Sequence, residues 1–158
     1  MTRITIAIIV LALSVLPLVS APGGVEQTKH NFSSQTYSPN AYFAGTRQVC
    51  VFCHTTHNGN QNMGALWNHE VNQGQTYTMY TSPTMDMTQS AQPHKGSLMC
   101  LSCHDGTIAI NSLNNVPGPQ QAGTYGSPGG SALDASGRLT AVSDAYVGTD
   151  LSDDHPVG

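Results

Sequence analysis

The chain has 158 residues, and its composition and charge exclude several classes of protein. Five basic residues stand against nine acidic ones, which gives a formal net charge of −4 at pH 7. Nucleic-acid binding depends on basic patches that neutralise phosphates, so this balance argues against a nucleic-acid partner. With three Phe and one Trp beside 16 Gly and nine Pro, the chain is also short of the large apolar side chains that build an independent core.

The N-terminus carries the pattern of an export signal. A single positive charge, Arg3, precedes an apolar run from Ile4 to Val19, and small residues follow. The run is shorter than the roughly 20 apolar residues that a membrane-spanning helix needs. We therefore predict a secretory signal peptide over residues 1–21, with an uncleaved anchor as the alternative. Cleavage leaves one domain over residues 22–158, with no stable membrane span, in the periplasm, outside the cell or on its outer surface.

All four cysteines lie in two copies of one motif, C-x-x-C-H, which is the attachment signature of c-type haem. Two intervening residues bring both thiols to one edge of the ring, where each forms a thioether with a vinyl group. The following His then offers a neutral imidazole to the iron. The predicted cofactor is haem c, two per chain, bound covalently through Cys50, Cys53, Cys100 and Cys103 with His54 and His104 as proximal iron ligands.

Cysteine pairs also occur in zinc sites and in disulfides, and neither explains the pattern as well. Zinc sites built from two C-x-x-C pairs usually separate the pairs by about 15–20 residues, whereas 46 residues lie between Cys53 and Cys100. Zinc also gives no reason for a His after each pair. Structural disulfides are the other alternative in an exported protein. A thioredoxin-like motif would need a βαβ unit, which neither pair has around it.

Each haem needs a second axial ligand to be six-coordinate, and five further histidines are present. Pro156 biases His155 towards extended backbone, and an Asp beside it could accept its other N–H. His30 lies in a polar segment near the start of the mature chain. A methionine between the motifs is an alternative ligand that would raise the potential. The candidate distal ligands are, in order, His155, His30 and His57; His69 is a weaker candidate, and His94 is most simply a loop residue.

The position of His57, three residues after His54, constrains its role. If this turn is helical, the two imidazoles are neighbours on one face, and they cannot approach one iron from opposite sides. The expected pairing puts His30 on the first haem and His155 on the second. His57 is then left for a haem of a neighbouring subunit or of a missing C-terminal part. In the alternative pairing, His57 ligates the second haem and His155 reaches elsewhere.

The predicted fold is mostly irregular coil with a few short helices and little strand, wrapped around two stacked haems that replace a regular core. Locally, we predict a short helix over Asn40–Gln48, a short strand over Tyr77–Thr81 and a short helix or strand over Asp105–Ile110. The Gly-, Pro- and Asn-rich stretch Asn111–Arg138 is predicted to be a long irregular connection, which compact domains rarely tolerate and a haem-wrapping chain can.

Six stretches also carry a resemblance to a known family: KHNFS (29–33), QVCVFCHTTHN (48–58), ALWNH (65–69), YTMYTS (77–82), MCLSCHDGTIA (99–109) and GTDLSDDHPVG (148–158). They resemble the doubled C-x-x-C-H multihaem c-type cytochromes, extracytoplasmic proteins of metal-reducing bacteria that include filament-forming types. The resemblance implies bis-His, low-potential haems. In the filament type, a His at the position of His57 ligates a haem of the neighbouring subunit. Relatives often carry more than two haems, so the chain is either a dihaem protein or the N-terminal part of a longer one.

We therefore expect extracytoplasmic electron transfer through two low-spin haems, within a respiratory or extracellular electron-transfer chain. A six-coordinate iron has no open site for a substrate, so we expect an electron carrier and not an enzyme. The expected partners are other cytochromes or redox proteins, with self-association through His57. The alternatives are a structural subunit or fragment of a polymerised haem filament, and a haem enzyme such as a peroxidase or reductase with one open iron.

Overall fold

A computed structural model of the chain describes residues 23–33, 42–44, 46–64, 66–118 and 123–158. The predicted signal peptide, 1–21, lies outside the described residues. Within them the regular elements are few and short, and the prediction of a mostly irregular fold is confirmed. They are the 3₁₀ helices Val25–Gln27 and Cys50–Phe52, the helix α1 (Lys95–His104), and the strands β1 (Phe43–Ala44), β2 (Ser112–Leu113), β3 (Gly123–Thr124) and β4 (Ser127–Pro128).

The strands pair in two small antiparallel ribbons. β1 pairs with β4, so that Phe43 lies opposite Pro128, and β2 pairs with β3. Isolated bridges join His54 to Trp67 and His69 to Leu113. These pairings connect segments that are far apart in the sequence, so the fold is held by long-range contacts and not by extended regular elements.

Three local predictions differ from the structure. The described part of Asn40–Gln48 is not helical, because Phe43 turns into the core as part of β1. Tyr77–Thr81 makes a single parallel bridge, between Thr78 and Asp150, in place of a strand. Residues 105–110 are turns and bends in place of a helix or strand, since α1 ends at His104. In each case tertiary contacts outweigh local propensity.

The core is built around the spacer residues of the two cysteine motifs. Phe52, 1% exposed, stacks on Phe43 with ring centroids 5.4 Å apart and meets the edge of Phe32 at 5.6 Å. In the second motif, Leu101 packs in a smaller cluster. Apolar spacers therefore anchor each motif while its first cysteine stays exposed. The main cluster comprises Phe32, Phe43, Val51, Phe52, Ile110, Leu113, Val116, Leu133 and Leu139, and the smaller one Tyr77, Leu101 and Leu151.

The end of α1 is fixed by the two residues that follow the second motif. Gly106 adopts φ +71°, and a Cβ there would lie 2.7 Å from the Leu139 carbonyl oxygen. Only glycine combines that left-handed conformation with so close an approach. Asp105 is buried and accepts a hydrogen bond of 2.5 Å from the Tyr77 hydroxyl. The chain therefore turns sharply just after His104, in an ordered setting.

We predict that Phe52→Ala lowers the free energy of unfolding by about 3–5 kcal/mol, as is usual when a buried Phe is truncated. The loss is expected because Phe52 joins both Phe43 and Phe32 in the core. Denaturant unfolding followed by far-UV circular dichroism measures it. The matched control, Met87→Ala, removes a side chain that is 59% exposed and should change stability little; equal effects of the two substitutions would contradict this account of the core.

Candidate haem-attachment site

Both motifs present their two thiols on one side of the backbone. Cys100 and Cys103 lie in the last turns of α1, where residues three apart share a face. Cys50 begins a 3₁₀ helix that Cys53 closes, with the Cys53 N–H donating to the Cys50 carbonyl at 3.2 Å, and side chains at this spacing eclipse in a 3₁₀ turn. All four thiols are unbridged. Each motif therefore meets the geometric requirement for attachment to one edge of a haem.

The inner and outer cysteines of the motifs lie in different surroundings. Cys50 and Cys100 are exposed, whereas Cys53 and Cys103 pack against the main core cluster. Burial raises the pKa of Cys53, and the neighbouring Cys50 adds to the shift. Burial raises the pKa of Cys103 to about 12, and Cys53 adds to that shift in turn. The inner thiols of the two motifs therefore stay protonated at neutral pH, which keeps them poor nucleophiles towards oxidants.

His104 is held in the tautomer that a metal ligand needs. Its Nδ1 lies 2.6 Å from the backbone oxygen of Ala145. Because a carbonyl oxygen can only accept, Nδ1 carries the proton and Nε2 keeps its lone pair. The Val147 N–H in turn donates to the His104 carbonyl at 2.8 Å, so this contact is secured from both sides. A backbone carbonyl that receives the second N–H is the usual partner of a metal-binding His.

His30 lies beside the second motif. Its ring centroid is 6.2 Å from that of His104, with an angle of 64° between the ring planes. The segment is positioned by Phe32, whose ring lies 6.1 Å from that of His30 and belongs to the main core cluster. The structure thus brings together the His of the second motif and one of the predicted distal ligands. The sequence-based pairing put His30 on the first haem, whereas its ring lies beside His104 of the second motif.

A cavity of about 610 Å³ adjoins the first motif, within the 300–1,000 Å³ of typical ligand pockets. Its lining includes Cys50, His54 and His57, with apolar surface from Val51 and Val116 among other residues. The 3₁₀ helix ends at Phe52, so the helical arrangement considered for His54 and His57 is not realised. Both histidines border the same cavity, and His57 is exposed.

His155 borders a cavity separate from the one beside the first motif. The tail is docked, since the Leu151 N–H donates to the Thr78 carbonyl at 2.7 Å and the Ser97 hydroxyl of α1 donates to the Gly158 carbonyl at 2.6 Å. His155 lines a cavity of about 420 Å³ whose lining, among the described residues, includes no residue of either motif: Tyr80, Ser82, Thr84, Met85, Asp153, Asp154, His155 and Pro156. The structure therefore does not place His155 beside His30 and His104.

One fully buried side chain, Asn68, connects the first motif to Asn115, in the segment that follows the second motif. Its Nδ2 donates to the carbonyls of Val51 at 2.7 Å and Asn115 at 3.0 Å, and its Oδ1 accepts from the Asn115 N–H at 2.9 Å. Its own N–H donates to the Cys53 carbonyl at 2.9 Å. Every polar group of the side chain is therefore used. Sequence reasoning missed this residue because an Asn in a polar stretch usually indicates a turn.

His69, the next residue, contacts the second motif. Its side chain is 1% exposed, and its Nε2 lies 3.0 Å from the Ala109 carbonyl oxygen and 3.6 Å from Cys103 Sγ. Burial lowers the pKa of His69, so the ring is neutral near pH 7. The remaining weak candidate, His94, is exposed at the N-cap of α1. Among the described residues, no group of three or more His, Cys, Asp or Glu side chains could together hold a metal ion.

We predict that Asn68→Ala lowers the free energy of unfolding by about 2–4 kcal/mol. It removes three buried hydrogen bonds, each worth about 1 kcal/mol net, and leaves their backbone partners in a dry environment. Chemical denaturation of the purified protein measures the change. Asn62→Ala, at an exposed position, is the matched control and should be near neutral. A small effect of Asn68→Ala would contradict its role as a connector.

No protein-family model and no curated protein matches this chain. In the part of the chain that the structure describes, no helix combines the length and the apolar character needed to cross a membrane. The residues themselves fit covalently attached haem at both motifs: paired thiols on one side, a proximal His in the ligating tautomer at the second motif, and a cavity beside the first.

Proposed function

We propose that this protein is an exported dihaem c-type cytochrome that carries electrons. The observation that carries the proposal is the geometry of His104. Its Nδ1–H donates to the Ala145 carbonyl, so the lone pair of Nε2 is left to bind a metal. His104 also directly follows two cysteines that share one face of α1. Neither a structural disulfide nor an ordinary surface His requires this combination of paired cysteines and an oriented imidazole.

Four thiols and two histidines would hold the cofactors, and the bound haem irons supply one-electron redox chemistry. Cys50 and Cys53 would attach the first haem, with His54 as its proximal ligand. Cys100, Cys103 and His104 would do the same for the second. The chain would fix the position of each imidazole, bury the inner attachment points and supply the opposite axial ligand. These three factors tune the redox potential of a haem.

For the second haem we propose His30 as the opposite ligand, in place of His155. The support is the placement of the His30 ring 6.2 Å from that of His104. Two imidazoles that share one iron must lie on opposite sides of it with a narrow gap between their rings, and this spacing is compatible with such a pair. His155 and His57 then remain the candidates for the first haem, whose cavity His57 borders.

An electron carrier is favoured over an enzyme because several histidines are available to fill both sides of each iron. Partners are proposed to be other cytochromes or redox proteins outside the cytoplasmic membrane. The exposure of His57 specifically favours a second role, as a ligand to a haem of another copy of the chain, and thus as a unit of a haem filament. The two roles are compatible.

The decisive experiment is a pyridine haemochrome assay combined with intact mass on the purified mature protein. We expect two covalent haems per chain and a wholly low-spin absorption spectrum, because each iron is proposed to have two His ligands. Cys103→Ser and Cys50→Ser should each weaken attachment of one haem only. One haem or none in the wild-type protein would refute the proposal. A high-spin component would revive the enzyme alternative, since it requires an open iron.

The ligand proposal is tested by replacing single histidines in the isolated monomer. His30→Leu should give a high-spin component from one haem, because the ring beside His104 is lost. His94→Leu is the matched control at an exposed position and should leave the spectrum low-spin. His57→Leu should also leave it low-spin if His57 serves another copy. An unchanged spectrum in His30→Leu would contradict the assignment of His30.

A further inference from the structure

Residues 68 and 69 are adjacent in the chain and contact opposite motifs. The Asn68 backbone N–H donates to the Cys53 carbonyl at 2.9 Å, and its side chain donates to the Val51 carbonyl. The His69 ring reaches Cys103 Sγ at 3.6 Å. A single peptide unit therefore separates a hydrogen bond to the first motif from a side-chain contact with the second.

The backbone of His69 is held by several hydrogen bonds. Its backbone forms a bridge with Leu113 of β2, and the following N–H, that of Glu70, donates to the Ser112 carbonyl at 3.1 Å. The Asn114 side chain donates to the His69 carbonyl at 3.0 Å. The ring is almost fully buried, so it has no room to move without disturbing both β2 and the end of the second motif.

The hydrogen bonds of the ring define what it can do. Because the Ala109 carbonyl can only accept, the proton of the neutral imidazole lies on Nε2. The same N–H faces Cys103 Sγ, a weak acceptor. Nε2 therefore has no lone pair to offer an iron unless His69 gives up its bond to Ala109. The lone pair lies on Nδ1, which is buried and has no hydrogen-bond partner among the described residues, so the spin state of His69 variants decides between positioning and ligation.

We propose that Asn68 and His69 form a bridge that sets the distance and orientation between the two haems, with His69 acting as a positioning residue at the Cys103 attachment point and not as an iron ligand. The inference rests on the proposed function, because the bridge joins two attachment cysteines. Beyond carrying electrons, this segment would set the electronic coupling between the two haems. Electron exchange between cofactors falls steeply with their separation, so a rigid link at the attachment edges would control it.

The test compares two substitutions of His69 in the haem-loaded protein. In His69→Gln, the amide nitrogen can occupy the position of Nε2 and donate to Ala109 and to the Cys103 sulfur. In His69→Leu, the volume is kept and the donor is lost. His94→Leu serves as the control at an exposed His. Each protein is examined by pyridine haemochrome, by absorption for spin state, by the Soret circular dichroism that arises from haem–haem coupling, and by spectroelectrochemical titration.

We expect all three variants to retain two low-spin haems. His69→Leu should reduce the Soret couplet and shift the midpoint potential of one haem, whereas His69→Gln should restore both to wild-type values. A couplet and potentials unchanged in His69→Leu would overturn the proposal. So would a high-spin component in both His69 variants, because it would make His69 an iron ligand. Absence of haem from the wild-type protein would refute the proposed function instead, and the two failures are therefore distinguishable.

A second variant covers the case in which His69→Leu does not fold. In His69→Asn the amide nitrogen reaches the position of Nδ1 and not that of Nε2, so the side chain stays polar and loses the same donor. It should resemble the predicted His69→Leu phenotype and differ from His69→Gln. Equal spectra and potentials for the Asn and Gln variants would overturn the proposal.

Discussion

The hydrogen bonds of Asn68 to the first motif, together with the contact of the adjacent His69 ring with the second, are the interactions on which the arrangement of the two motifs depends. Between Cys53 and Cys100 lie 46 residues, and each strand in the described part of the chain has two residues. With so little regular structure, specific polar contacts must fix their relative position. Asn68 bonds the backbone of the first motif and of Asn115, and the adjacent His69 ring contacts Cys103 of the second motif. A buried polar group that is fully satisfied specifies one arrangement because every alternative leaves groups unpaired.

The cysteine motifs combine two opposite requirements. An attachment site must expose its thiols and imidazole to a large planar ligand, yet its backbone must not move. Here the apolar spacers Phe52 and Leu101 anchor the motifs in two separate clusters. The outer cysteines remain exposed while the inner ones are half-buried against the main core cluster. His69 lies at the inner cysteine of the second motif, Cys103.

The proposed electron carrier follows from how the histidines are used. His104 is oriented by the Ala145 carbonyl, and His30 lies beside it. The one ring N–H of the neutral His69 faces the Ala109 carbonyl and the Cys103 sulfur. Histidines thus serve in different ways because their neighbours differ. A carbonyl at Nδ1 leaves the lone pair of Nε2 able to bind a metal, whereas a carbonyl at Nε2 places the proton on that atom. The exposed His57 is suited to a contact outside the chain.

The sequence alone predicted the irregular character of the fold, which the structure confirms, because it follows from residue types. The haem chemistry proposed for the motifs also follows from residue types and short spacings. The sequence did not predict the role of Asn68, the neighbour of His30 or the strand at Phe43, since each depends on segments that meet only in the folded chain. The helix expected over Asn40–Gln48 was wrong in its described part for the same reason: pairing with β4 and burial of Phe43 outweigh a weak local preference. The tertiary structure decided which histidine meets which motif, because contacts between distant segments are set by packing and by the satisfaction of buried hydrogen bonds.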